Sequence, residues 1–197
     1  MSSPADPLLP ALAEAAARDT VRWIERAVIG LNLCPFAKGV HTRGQVHYHA
    51  SAATTPNQLR EDLERELRDL VALPAEERDT TLLIVPRGLE DFLDFNDFLG
   101  EADALLASLG LEGEVQIASF HPDYRFAGTR ADDVTNCTNR APWPTLHLLR
   151  EASIDRAVAA FPEAEAIYQR NMATLEKLGK DGWRALDVGP TPQEAGR

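Results

Sequence analysis

Residues 80–86, TTLLIVP, form a continuous β-prone apolar run, the pattern required of a strand covered on both faces. Helical patterns stand on either side of it. Before it, residues 56–73 (PNQLREDLERELRDLVAL) place Leu59, Leu63, Leu67 and Leu70 at intervals of four, four and three, a narrow apolar stripe on a charged helix. After it, Phe92, Phe95, Phe98, Ala102, Leu105 and Leu109 repeat the helical spacing, and Gly110 occupies the place a C-cap prefers. Residues 114–120 (EVQIASF) read as a further strand and 45–50 (QVHYHA) as a short polar one. Strand, helix, strand, helix, strand, with helices long enough for crossovers, predicts an α/β fold on a small, mainly parallel sheet, a β-α-β-α-β core.

Around that core, residues 8–33 have the apolar spacing of a helix that Pro35 stops. Two more helices are expected at about 145–160 and 163–178, the second closed by Gly179. Residues 121–144 carry no apolar periodicity and are rich in Asp, Asn, Thr, Arg and Pro; an irregular segment this long inside a compact domain is either functional or disordered. At 197 residues the chain is read as one domain over 1–186 with a flexible tail at 187–197.

With 44% hydrophobic and 26% charged residues, the composition is that of an ordinary globular protein. Its net charge of -11 repels nucleic acid and anionic membrane, so neither is an expected partner. No run approaches the roughly 20 apolar residues of a membrane span. The first residues lack the basic start of a secretory signal, which points to the cytoplasm and to Cys34 and Cys137 as reduced thiols. Oligomeric state is left open.

Ligands of parallel α/β sheets bind outside the strands' carboxyl ends. Here those ends carry Arg87, after the second strand, and His121, Pro122, Asp123 and Tyr124, after the third. Residues 121–150 hold four arginines against three acids, a net +1 in a chain whose remainder is -12. Arginine matches carboxylate and phosphate bidentately, so a small anionic ligand suits this stretch, although pairing with surface acids explains the same residues. Asn136, Asn139 and Arg140 are candidates to orient it, with turn formation as the competing use of the asparagines. Thr145 is placed as an N-cap, and His147 and Arg150, three apart on the expected helix, share a face. His121 is the candidate acid or base, with Asp123 fixing its tautomer; a simple bond to a backbone carbonyl is the alternative.

Cys34, in LNLCPFAKGV, follows the C-terminal end of the first expected helix, where the dipole raises a thiol pKa. It is either a nucleophile rescued by tertiary neighbours or a small apolar filler. Cys34, Cys137, His121 and His147 lack the short paired spacing of zinc motifs, and His47 and His49 share a strand face without a recognisable third ligand. Neither a metal nor a cofactor is therefore expected; Gly-rich phosphate loops, G-x-S-x-G and H-E-x-x-H are absent from the sequence.

The stretches VIGLNLCPFAKGV, TTLLIVPRGLEDFLDFNDFL, VQIASFHPDYRFAG and DVTNCTNRAPWPTLHLLREASIDRAV resemble a bacterial family, domain of unknown function 1415, over about residues 21–186. The resemblance implies family marks at Cys34, Pro35, Phe36, His121, Pro122, Asp123, Tyr124, Asn139, Arg140, Pro142, Pro144, His147 and Arg150. It also implies that Tyr is frequent at the position of Cys137, which argues against a role for that thiol. The resulting expectation is a small enzyme acting on an anionic metabolite at the strand carboxyl ends. Its rival is a non-catalytic ligand-sensing domain, or a protein-interaction module using the acidic helix 56–73.

Overall fold

A computed structural model describes residues 9–160 and 166–192. In chain order the elements are α1 (Leu9–Trp23), continued by a π-helical turn (Ile24–Ile29), α2 (Ala37–Thr42), β1 (Val46–Ala50), α3 (Pro56–Ala72), β2 (Thr80–Ile84), α4 (Phe92–Ser108), β3 (Val115–Phe120), a 3-10 turn (Val134–Thr138), β4 (Thr145–Arg150), α5 (Glu151–Ala160) and α6 (Ile167–Ala185). No described helix is long and apolar enough to cross a membrane.

Local chemistry sets the two crossover helices. Thr55 accepts a hydrogen bond from the Gln58 amide (3.3 Å) with Pro56 in the first turn of α3, and Asp91 accepts from the Leu93 and Asp94 amides (2.7 and 3.2 Å) to start α4. Gly110, at φ +71°, ends α4 in a conformation that a Cβ would strain. The leucine stripe of α3 is sealed: Leu59, Leu63, Leu67 and Leu70 are at most 2% exposed, each worth roughly 1.5–3 kcal/mol of burial. They pack with Phe95, Phe98 and Leu105 of α4 against Leu83, Leu146 and Leu148 of the sheet. On the opposite face Trp23, Ala27 and Val28 cover Leu82, Tyr48 and Phe120, which makes a three-layer α/β/α stack.

The sheet is mixed, in order β1-β2-β4-β3, and this corrects the mainly parallel expectation. Only β1 and β2 pair in parallel; β4 lies between β2 and β3 and is antiparallel to both. The cause is residues 145–150, expected as helix, which form the central strand before the chain turns helical at Glu151. Thr145 is consequently no helix cap, and residues three apart on a strand face opposite sides. The side chains of His147 and Arg150 therefore leave β4 on opposite faces. Beyond Gly179, whose non-helical φ/ψ (69°, 174°) interrupts α6, the chain resumes helix to Ala185; the expected start at 163–165 lies outside the described residues.

The tail expected from 187 onward is tied back over its first residues. Val188 is buried, Arg22 donates to the carbonyls of Asp187 (2.9 Å) and Gly189 (2.7 Å), and the fully buried Asp19 accepts from the Thr191 amide (2.8 Å) and the Trp143 indole (3.1 Å). Residues 193–197 lie outside the description.

Candidate functional site

Strand alternation sends Thr80 and Leu82 of β2, His147 of β4, and Ala118 and Phe120 of β3 to the same sheet face, and the small Ala118 leaves room above the centre. A cavity of about 470 Å³ opens there, within the roughly 300–1,000 Å³ range of small-molecule sites. Its roof is the place where α1 slips into the π-helical turn, a distortion common at functional sites. Gly30 makes that slip possible, because a Cβ there would collide with the Arg26 carbonyl oxygen. The walls are almost wholly apolar, with Trp23, Ile24 and Val28 above and Ile154 and Ala157 at the side.

Asp79, Asn139, Arg150 and Ser153 border the cavity as well, and His147 is the polar residue on the sheet floor beside Thr80. It sits at mid-strand between Leu82 and Ala118, and its Nε2 lies 2.7 Å from Thr80 Oγ1. Thr80 has one hydroxyl proton and uses it on the Leu148 carbonyl (2.6 Å), so its oxygen accepts and His147 Nε2–H donates. The ring is thereby fixed as the Nε2–H tautomer, which leaves Nδ1 as its acceptor. Desolvation by burial pushes its pKa down to about 4, so the imidazole is neutral at pH 7.

Cys34 lines the same cavity, half-buried, just ahead of α2, a helix that the sequence reading lacks because Pro35 reads only as a stop. Hydrogen bonds from the Phe36 and Ala37 amides draw its pKa down, yet desolvation by burial outweighs them and the net shift is upward. Cys34 is a thiol at neutral pH. Asn171 of α6, also at the wall, donates to the Leu33 carbonyl (2.9 Å) and ties this corner to α6. Trp23 Nε1–H is buried with no hydrogen-bond partner among the described residues.

The structure gathers the other sequence candidates at the carboxyl ends of β2 and β3, but with their polar atoms turned on the chain itself. His121 is fully buried beside Phe92 and Phe95; Nε2–H donates to the Leu89 carbonyl (3.1 Å) and Nδ1 accepts the Asp123 amide (3.0 Å). Burial lowers its pKa, with the bond to Leu89 opposing. Asp123 thus orients the ring through its backbone rather than its carboxylate. Arg140 donates to the carbonyls of Tyr124 (3.2 Å) and Ala131 (2.7 Å), and the Tyr124 ring packs against Phe92 and Phe126. Asn136 accepts from Phe126 N–H and Thr129 Oγ1 and donates to the Arg130 carbonyl, while Asn139 donates to Ser119. Arg87 is half-buried just past β2.

Arg150 is at the other end of the sheet, where it also borders the cavity. Its guanidinium caps the C-terminal end of α3, donating to the carbonyls of Leu70, Leu73 (2.6 Å) and Arg78 (3.0 Å). Cys137 is buried against Leu33 and Leu175, and a polar hollow of about 290 Å³ beside it holds Lys180 paired to Asp132 (2.9 Å). Thr80, Asn171 and the Trp23 roof escape sequence reading. Asn171 alone leaves a trace, a polar residue four before the buried Leu175 on the inner side of a helix.

No curated protein and no solved structure gives a significant match to the chain. The family model described as "Protein of unknown function (DUF1415)" matches residues 15–185, which include both halves of the cavity wall, and the chain belongs to that family.

Proposed function

We propose that the protein is a ligand-binding domain whose cavity takes a small, mainly apolar, uncharged molecule that donates one hydrogen bond. The observation that carries this reading is a neutral His147 that lines a mainly apolar cavity with its Nε2–H spent on Thr80, which leaves the Nδ1 lone pair as its acceptor. A hydroxyl or N–H donor satisfies that lone pair, and the rest of the molecule gains by leaving water. Aromatic and aliphatic walls supply the affinity and the imidazole supplies the orientation.

Catalysis on an anionic metabolite draws less support. A base with a pKa of about 4 abstracts protons poorly near pH 7, and Cys34 is held as the thiol. The guanidinium groups of Arg140 and Arg150 are engaged with backbone carbonyls, so an anion in the cavity would lose its hydration without gaining either. The acids of α3 offered to a partner are also partly internal: Asp62 and Glu64 pair with Arg65 and Arg68.

The test is thermal unfolding at pH 7.5 with 1-decanol, with decanoate and without additive, on the wild type and on His147→Phe. Stabilisation follows RT ln(1 + [L]/Kd), so the alcohol raises Tm with concentration in the wild type, decanoate does so far less, and His147→Phe removes the difference. Stabilisation by decanoate or by phosphorylated metabolites, with none by the alcohol, overturns the reading.

A further inference from the structure

We propose a second, independent site: a divalent first-row transition-metal centre, with Zn²⁺ as its reference ion, formed by His47, His49 and Glu66 on the sheet face opposite the cavity. His47 and His49 are two apart on β1, an edge strand, so both rings project to the α3 side and lie near-parallel (22°) with centroids 6.3 Å apart. α3 brings Glu66 between them. His47 Nε2 is 3.6 Å from Glu66 Oε2 and His49 Nδ1 is 3.5 Å from Oε1, and one donor atom from each of the three residues lies within 4.8 Å of the others.

Those separations are long for hydrogen bonds. They match donors around one ion, because bonds of about 2.0–2.1 Å give a tetrahedron with edges of about 3.4 Å. Two imidazoles with one carboxylate are the donor set of zinc and iron(II) centres that keep coordination positions open, whereas calcium and magnesium take oxygen. The side chains of His47 and His49 are 38% and 30% exposed, so the open positions face solvent and admit water or a small donor ligand.

Glu66 makes the arrangement more than a surface coincidence. Its side chain is 4% exposed, and it occupies a position seven after Leu59 and four before Leu70, on the stripe where an apolar residue would pack. Arg78 Nη1 holds Oε2 at 3.2 Å, the outer hydrogen bond that fixes a ligating carboxylate and leaves Oε1 turned to His49. Zinc motif spacing misses this set because the third ligand comes from another element.

Calorimetric titration of tag-free protein with ZnCl₂ tests the site. One Zn²⁺ per chain is expected, with affinity at least about 100-fold lower in His47→Ala/His49→Ala and about 10–100-fold lower in Arg78→Met, the range for a lost outer partner. On the wild type, Co²⁺ should broaden the imidazole NMR signals of His47 and His49 and leave those of His121 and His147 sharp. This readout needs no variant to fold. Absence of stoichiometric binding, binding unchanged in a folded double variant, or broadening centred on other histidines overturns the proposal.

Discussion

Replacing His147 by Phe should flatten the acid side of the stability profile. The folded ring titrates at about 4 and an unfolded histidine near 6.5. Between those values the unfolded chain binds more protons, so the contribution to stability is complete above pH 6.5, declines through the window and is gone below about pH 4. At about 1.36 kcal/mol per pH unit the whole gap is roughly 3 kcal/mol, of which about 2 kcal/mol has developed by pH 5.0. Buried His121 and half-buried His47 are shifted in the same direction, and the carboxylates titrate too, so the wild type alone would not isolate the effect. Urea unfolding at pH 7.5 and pH 5.0, on wild type and His147→Phe, cancels those shared contributions. The wild type should lose about 2 kcal/mol more than the variant across that interval. Equal losses would mean that the ring protonates as freely as in water, and the tautomer argument for the cavity would fall with it.

Three further outcomes follow from the geometry. Arg150→Met strands the carbonyls of Leu70, Leu73 and Arg78 and should cost about 2–4 kcal/mol in chemical denaturation. Gly30→Ala forces the π-helical turn off the Arg26 carbonyl and should cost about 1–3 kcal/mol while weakening ligand binding through the displaced roof, read by thermal unfolding with and without decanol. In a Cys137→Ser background, alkylation of Cys34 should reach its half-maximal rate at a pH above that of a cysteine in an unfolded peptide, since burial holds the thiol protonated; a midpoint below it would revive thiol chemistry.

The crossover helices were legible because their signals are local. The leucine stripe of α3, the Asp91 cap and the Gly110 stop lie within a few residues of what they determine. β4 was not legible. TLHLLR is apolar on both sides because it is the central strand, and a short apolar run joined directly to EASIDRAVAA has no boundary to separate it from helix. That one misassignment carried the mainly parallel sheet and the shared face of His147 and Arg150 with it. The carboxyl-end cluster was found because β2 and β3, both antiparallel to β4, point the same way, but hydrogen-bond direction was not: nothing in SFHPDY tells whether His121 faces a ligand or Leu89. The cavity is the product of several separated segments, each unremarkable alone. Glu66 was readable in principle as an acid on an apolar stripe.

The place of β4 also bears on how the chain is made. β2 and β3 have no ladder with each other; each pairs with β4, so the sheet has no continuous centre until residues 145–150 are available. On a ribosome, both crossover helices and three strands emerge before the strand that joins them. During that interval β3 has no partner and β2, buried throughout in the finished fold, presents an unpaired edge, the kind of surface on which nascent chains aggregate. A fragment ending at residue 144 should therefore be recovered in inclusion bodies, and a synthetic TLHLLR-containing peptide supplied during refolding should bring part of it into solution.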